Sequence, residues 1–399
     1  MGKRDPKMKK MSFRTAAPPV FCILIITLLT IFMGASCKGN FLPDKGAAEG
    51  GSFKDKETLE RETNVPAERR ENAEKNNILA AGEKKEENEI DSIEEIPPEK
   101  QTPGPNELGE IMILMYHEIG YPEGEWRRTP ENFRRDLEIL YTLGYRSVSL
   151  TDLVRGTLNI PAGTSPVVLT FDDGNKGNFY YKSSNNGFEG EPAPDCAVAI
   201  MEDFYRENPD FGLNATFFIS YPNPFREPQH IEKKLNYLVE KGFEIGNHTY
   251  SHANLSKLNP VEIQRELALH VQATREYVPG YEVNSLALPY GGYPRGNTSL
   301  LLEGSYEGIS YRHEAVLLVG ANPAPSPFHQ KFDSSRIPRI RASEMGTDGV
   351  GLYDWIEYFQ QNPHKRYVSD GDLRYVTAPE TWRDLLSDKQ LKDKQARFY

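Results

Sequence analysis

From Ile111 onward the chain repeats one pattern: an apolar run rich in β-branched and aromatic residues that breaks off into a polar cluster. The runs are IMILMYH, VVLTFDD, ATFFIS, FEIGNH, LALPYG and AVLLVG, and each reads as a strand. Helical patterns lie between several of them. In RTPENFRRDLEILYTLGY, Thr129 is placed to cap a helix, Pro130 to open it and Gly144 to stop it, with Phe133, Leu137, Leu140 and Tyr141 on one face. In LNPVEIQRELALHVQATREYV, Asn259 and Glu262 have capping-box spacing, and Ile263, Leu267 and Val271 form the stripe. Strands alternating with helices require a parallel sheet with helical crossovers, either closed as a barrel or open and doubly wound. In both, sites are built at the C-terminal ends of the strands. That is where YHEIG, FDDG, SYPNP, NHTYSH, PYGGYP and GANPAP fall.

The first residues differ from this body. Lys3, Arg4, Lys7, Lys9, Lys10 and Arg14 precede a nearly uninterrupted apolar run from Ala16 to Met33, as in a bacterial export signal. The run ends in FMGASC, which resembles a lipobox with Cys37 as the lipid-bearing residue, although Gly34 stands where that motif usually has Leu. An uncleaved membrane anchor is the competing reading, which the length of the run permits; plain secretion is a third. Residues 1–36 are therefore expected to be a lipoprotein-type signal peptide and 37–107 a disordered charged linker, rich in Glu, Lys, Asn and Pro with few aromatics. Its coil dimension is on the order of 45 Å, enough for a tethered domain to sample the cell wall. Residues 108–399 form one folding unit.

Of the three cysteines, Cys22 lies in the apolar run and Cys37 would carry lipid, which leaves Cys196 alone in the body and no intramolecular disulfide. The net charge is −11, most of it on the body. An acidic body is poorly suited to nucleic acid or anionic lipid, so neither is expected as a partner, and no protein partner is expected either.

Two polar clusters carry the chemistry. Asp172 and Asp173 stand side by side after an apolar run, where a solvated turn is the ordinary reading. His248 and His252 stand four apart, a spacing that in a helix or tight turn brings both imidazoles to one divalent ion. At neighbouring strand ends, two histidines and one aspartate make a metal triad with open coordination positions. The second aspartate is then left for acid–base work.

Here the sequence resembles the NodB-type polysaccharide deacetylases, carbohydrate esterase family four. TFDDG at Thr170–Gly174, NATFFI on the next strand and NHTYSH at Asn247–His252 carry the resemblance, with LMYHEIG and GYRSVSLTDL similar to the family's N-terminal segment. The resemblance spans about Ile111 to Arg341. It implies an α/β fold, a distorted, incomplete (β/α) barrel of parallel strands preceded by the tether. It also implies removal of N-acetyl groups from an N-acetylglucosamine-containing cell-envelope polysaccharide. Asp173, His248 and His252 would hold a divalent metal, Zn²⁺ by the donor set, with Asp172 as general base and the Tyr290 peptide N–H in the oxyanion hole. The partners implied are an N-acetylated glycan and, through the N-terminal lipid or anchor, the membrane.

The family's remaining motifs are incomplete. LALPYGG keeps Pro289, Tyr290 and Gly291, but Ala287 and Leu288 stand where the family often has the arginine that pairs with the base. SSRIPRIRAS offers Arg336, Arg339 and Arg341, and Arg339 is expected to reach Asp172; surface arginines flanking an edge strand are the alternative. No Leu-x-His motif supplies an acid, and His313, His329 and His364 lack that context. His117 in MYHEIG is a candidate acid or substrate contact, or else a hydrogen bond that fixes a loop. LYDWIEYF reads as a core helix rather than the family's Asp-Trp motif. The long stretch NKGNFYYKSSNNGFEGEPAPD either lines a sugar groove or elaborates the surface. A non-catalytic glycan-binding lipoprotein has no need of Asp172, and the absence of G-x-S-x-G speaks against a serine hydrolase. A hydrolase of the same fold acting on another acyl substrate remains the second alternative.

Overall fold

The computed structural model describes residues 103–184 and 187–399. The expected leader, Cys37 and nearly all of the expected linker lie outside them. The elements that position the site are β1 (Glu110–Tyr116), α1 (Pro130–Thr142), β2 (Tyr145–Ser147), α2 (Leu150–Arg155), β3 (Ser165–Phe171), α3 (Ala197–Glu207) and β4 (Thr216–Ile219), then α4 (Ile231–Glu240), β5 (Glu244–Asn247), α5 (Pro260–Tyr277), β6 (Ser285–Ala287), β7 (Ala315–Leu317), β8 (Ile340–Arg341) and α6 (Leu352–Gln361).

The sheet runs β7-β6-β5-β4-β3-β1 with these pairings all parallel, and the two-residue strand Ala324–Pro325 adds antiparallel to the start of β1. It curls as a half-barrel, the distorted, incomplete barrel expected. The two edges are joined by one short segment: Ile337 bridges Leu317 on β7, and β8 pairs in parallel with Leu114 and Met115 of β1.

The two-residue strand period sorts the side chains. Val167, Leu169 and Phe171 of β3, with Met112, Leu114 and Tyr116 of β1, pack outward against Phe133, Leu137 and Leu140 of α1, Ile200 and Phe204 of α3, and Trp355 and Phe359 of α6. The alternate residues, Ile111, Ile113, Val168, Phe218, Ala287, Leu317 and Ile337, form a second apolar layer on the other face of the sheet, joined by Leu150 and Leu153 of α2. A side chain at Gly246 would collide with the Phe218 ring, so this layer requires glycine there. Continued past the strand ends, the same alternation sends His117, Asp172 and His248 into the barrel mouth.

Both marked helices form as spaced. The Thr129 hydroxyl accepts from Asn132 N–H, and Gly144 turns the chain at φ 81°. Asn259 and Glu262 make the capping box of α5. LYDWIEYF is a core helix with Leu352, Trp355, Ile356 and Phe359 buried, and the Trp355 indole donates to Ala321 O at 2.8 Å.

One boundary needs adjusting. The fold reaches back into the expected linker, because Asn106 and Glu107 are buried. Asn106 bridges Val368, while the Glu107 carboxylate accepts from Thr377 N–H at 2.9 Å and Tyr367 Oη–H at 3.2 Å. Two polar residues in a charged stretch gave no hint of those distant partners. The stretch after Gly174 is a built piece of the fold: a short 3₁₀ turn, Lys176–Asn178, then an antiparallel hairpin of Tyr181–Ser184 with Gly187–Pro192. Phe179 and Tyr181 bury in the outer core.

Candidate active site

Asp172 follows β3 at an inward position, 1% exposed, with its N–H donating to Tyr116 O at 2.9 Å. Arg339, fully buried, meets it from the closing segment. Nη1 donates to Oδ1 and Nη2 to Oδ2, each at 2.7 Å. The other guanidinium contacts are Nε to Leu318 O at 3.0 Å and Nη1 to Thr170 Oγ1 at 3.1 Å, so the fork is locked on several sides. Burial alone would raise the Asp172 carboxyl, but Arg339 and His248 outweigh it and hold it below the usual carboxylate range.

One residue on, the backbone enters the left-handed region at Asp173 (φ 69°) and Gly174 (φ 56°). Such a conformation is costly for a residue other than glycine and is found where a site requires it. The turn separates the two carboxylates. Asp173 Oδ1 faces His248 Nε2 at 3.3 Å and His252 Nε2 at 3.0 Å, while Oδ2 accepts from Asn175 Nδ2 at 3.3 Å. Burial raises the Asp173 carboxyl, but the two histidines overcome this and hold it far below the usual range.

The histidines are presented by a tight turn after β5, not by a helix, with Thr249 (φ 57°) and His252 (φ 58°) also left-handed. Asn247 Oδ1 accepts from Thr249 N–H at 2.9 Å, and Thr249 Oγ1 from Ala253 N–H at 2.7 Å. His248 Nδ1 donates to Ala287 O at 2.9 Å, a partner that only accepts, and this fixes the ring with Nε2 turned to Asp173. His252 Nδ1 lies 3.0 Å from Tyr290 Oη. The three ligand atoms all lie within 4.8 Å of one another. Two imidazole Nε2 atoms and one carboxylate oxygen, each fixed from behind, are donors that fit a borderline divalent cation such as Zn²⁺.

This geometry agrees with the sequence comparison: residues 159–304 match the family profile described as polysaccharide deacetylase. The matched segment belongs to the polysaccharide deacetylase family. Within the curated proteins, the chain is 28% identical over 138 residues to a chitooligosaccharide deacetylase of a Bradyrhizobium species, covering 35% of this chain and 52% of that protein. It is 29% identical over 131 residues to a peptidoglycan-N-acetylglucosamine deacetylase of Bacillus cereus, covering 33% and 38%. The matched region thus spans about half or less of these relatives. Among solved structures, Streptococcus pyogenes deacetylase PplD in complex with acetate aligns at 18% identity and a TM-score of 0.45, covering 62% of this chain and 97% of that one.

The family segment holds Asp172, Asp173, His248, His252 and Tyr290; His117 and Arg339 lie outside it. Tyr290 sits on the 3₁₀ turn Pro289–Gly291 with φ 58° and is 66% exposed. Its ring stands 4.8 Å from that of His252, a side-chain contact absent from the sequence reading, which gave this residue only a backbone role. His117 follows β1, its ring 4.6 Å from that of Trp126, and its Nδ1 has no hydrogen-bond partner among the described residues. Burial lowers its pKa, against the opposing pull of Asp172 and Asp173. Of the three arginines, Arg336 stacks on Tyr293 and Arg341 pairs with Glu125, so Arg339 alone holds Asp172.

Three further histidines are held by backbone groups. His270 Nε2 lies 2.9 Å from Ile219 O, and burial pushes its pKa down to about 3. His313 Nδ1 lies 2.7 Å from Leu301 O. His329 Nδ1 accepts from Lys331 N–H. Sequence reasoning missed Asn175, although its place two residues after Asp173 in a turn is where an Asn side chain folds back on the chain. It also missed the buried pair behind β1, in which Arg128 holds Asp136 at 2.6 and 2.9 Å and Tyr353 Oη–H donates to the same carboxylate.

Proposed function

We propose that the chain is a metal-dependent hydrolase that removes N-acetyl groups from an N-acetylglucosamine-containing polysaccharide of the cell envelope. One observation carries the reading: Asp173 Oδ1, His248 Nε2 and His252 Nε2 converge on one point, each held from behind, beside a carboxylate that takes no part in that cluster. A divalent cation held by these three residues supplies Lewis acidity, activating water and polarising the acetamide oxygen. Asp172, kept ionised and oriented by Arg339, accepts the proton of the attacking water. The Tyr290 N–H, on the turn after β6, donates to the carbonyl oxygen as negative charge builds there. His117, at the end of the strand beside β3, is the group assigned to protonate the leaving amine. The relatives' names give chitooligosaccharide and the N-acetylglucosamine of peptidoglycan as what they act on, which supports the substrate class.

The basic leader and Cys37 support export and lipid attachment in the envelope. Cys37→Ser should release the chain from the membrane fraction; unchanged association would favour an uncleaved anchor. The activity is tested by acetate release across a panel of N-acetylated and O-acetylated glycans. Release from the N-acetylated members supports the reading, and release from O-acetylated glycans alone would replace it with an ester hydrolase.

A further inference from the structure

Between His248 and His252 the backbone takes a course that threonine resists. Thr249 is buried and stands at φ 57°, in the left-handed region, where a β-branched side chain crowds its own backbone. Such a conformation persists only where its surroundings over-determine it. The Ser251 half of the turn is held from α5, whose Glu266 accepts from Ser251 N–H at 2.8 Å. The Thr249 half depends on Asn247, whose Oδ1 accepts from Thr249 N–H at 2.9 Å. Asn247 is fully buried, so its partners alone set the direction of its amide. Leu267 O, 3.2 Å from Nδ2, only accepts, and Thr249 N–H only donates, which leaves one Nδ2 hydrogen over. That hydrogen meets His313 Nε2 at 3.3 Å. The His313 ring is fixed in turn: Nδ1 donates to Leu301 O at 2.7 Å, and the Tyr311 ring stacks on it with centroids 5.5 Å apart. Burial pushes its pKa down to about 4, so at neutral pH the ring is uncharged, with one nitrogen donating and the other accepting.

We propose that His313 is a positioning residue for the metal site, acting through Asn247: its Nε2 holds the amide in the one orientation that lets Oδ1 reach Thr249, and so keeps His248 and His252 turned to a common point. The inference rests on the reading of Asp173, His248 and His252 as a metal centre. Without the acceptor at His313, the buried amide keeps an unpaired N–H, which is costly. Flipping the amide relieves that N–H only by setting two donors against each other at Thr249. Either way the strained turn loses the hydrogen bond that offsets its strain. His313 touches none of the three ligands, which separates its role from theirs.

The test uses two amide side chains of different reach. His313→Asn can still donate to Leu301 O but falls short of Asn247, whereas His313→Gln can bring an acceptor to Asn247. Zn²⁺ affinity is measured by competition with a chelating dye, and exchange of the Thr249 amide hydrogen is followed alongside, with melting curves to show that each variant is folded. His313→Asn should weaken Zn²⁺ binding on the order of tenfold and speed Thr249 exchange, while His313→Gln keeps most of both. In an Asn247→Ala background the His313→Asn change should cost nothing further. A role confined to anchoring Leu301 predicts the reverse order, with asparagine the better substitute; that order, or equal affinity in the two variants, would overturn the proposal. If the parent binds no Zn²⁺, the metal reading fails separately and Thr249 exchange decides: faster exchange in His313→Asn than in His313→Gln sustains the clamp, and equal rates overturn it.

Discussion

Arg339 grips both oxygens of Asp172 at 2.7 Å from a position 167 residues further along the chain. The pair is sealed from solvent, and a buried carboxylate without a partner is expensive. Arg339→Ala should therefore destabilise the fold by about 3–5 kcal/mol and lower turnover while leaving metal content intact. Arg339→Lys keeps the charge but not the planar fork and should recover only part of the rate. Thermal melts, metal analysis and kcat together check this.

The same pair sets a pH dependence. Asp172 sits below its ordinary value, so the stability it contributes is complete above the unfolded-state value and is lost as pH falls through the lower, folded one. In Arg339→Ala, burial acts without its main opponent and the carboxyl moves up. The acid limb of kcat/KM should then shift to higher pH, and an unmoved limb would mean that Asp172 is not the group titrating.

His248→Ala or His252→Ala should abolish stoichiometric Zn²⁺ binding, since two remaining donors are too few. Full metal occupancy in either variant would place the metal elsewhere.

Tyr290→Phe removes the hydroxyl 3.0 Å from His252 Nδ1 and leaves the backbone in place. Loss of a partner behind a ligand should weaken metal affinity roughly tenfold or more, measured by competition with a chelating dye. Unchanged affinity would confine Tyr290 to its backbone role.

The main features of the site could be read from sequence because each rests on a local rule. The apolar runs fixed the strands, the polar clusters after them marked the active edge, and the spacing within FDDG and NHTYSH paired a carboxylate with two histidines. Arg339 is expected there because the resemblance implies an arginine beside the base, and Ala287 and Leu288 stand in its usual place. The curl of the sheet that brings Arg339 there is a tertiary fact. The contacts that escaped were of that kind: Tyr290 Oη on His252, Glu107 under Thr377, and Arg128 on Asp136 join residues whose local sequence gives no sign of a partner. For the stretch after Gly174 the sequence leaves a groove lining and a surface elaboration open, and nothing local shows that Phe179 and Tyr181 bury in the core. A side chain at Gly177 would collide with the Ile119 carbonyl, so the loop's small residues serve close packing as well as turning.

The central claim is that the Asp173, His248 and His252 cluster holds a metal that serves amide hydrolysis with Asp172 as base. The most direct measurement is acetate release from N-acetylglucosamine oligomers by the purified chain before chelation, after chelation and after Zn²⁺ is restored, with Asp172→Asn in parallel. The account predicts loss on chelation, recovery on reloading, and an Asp172→Asn chain that binds the metal yet turns over on the order of 10²-fold or more slower. Acetate release that survives chelation, or an Asp172→Asn chain that keeps the parent rate, would contradict it.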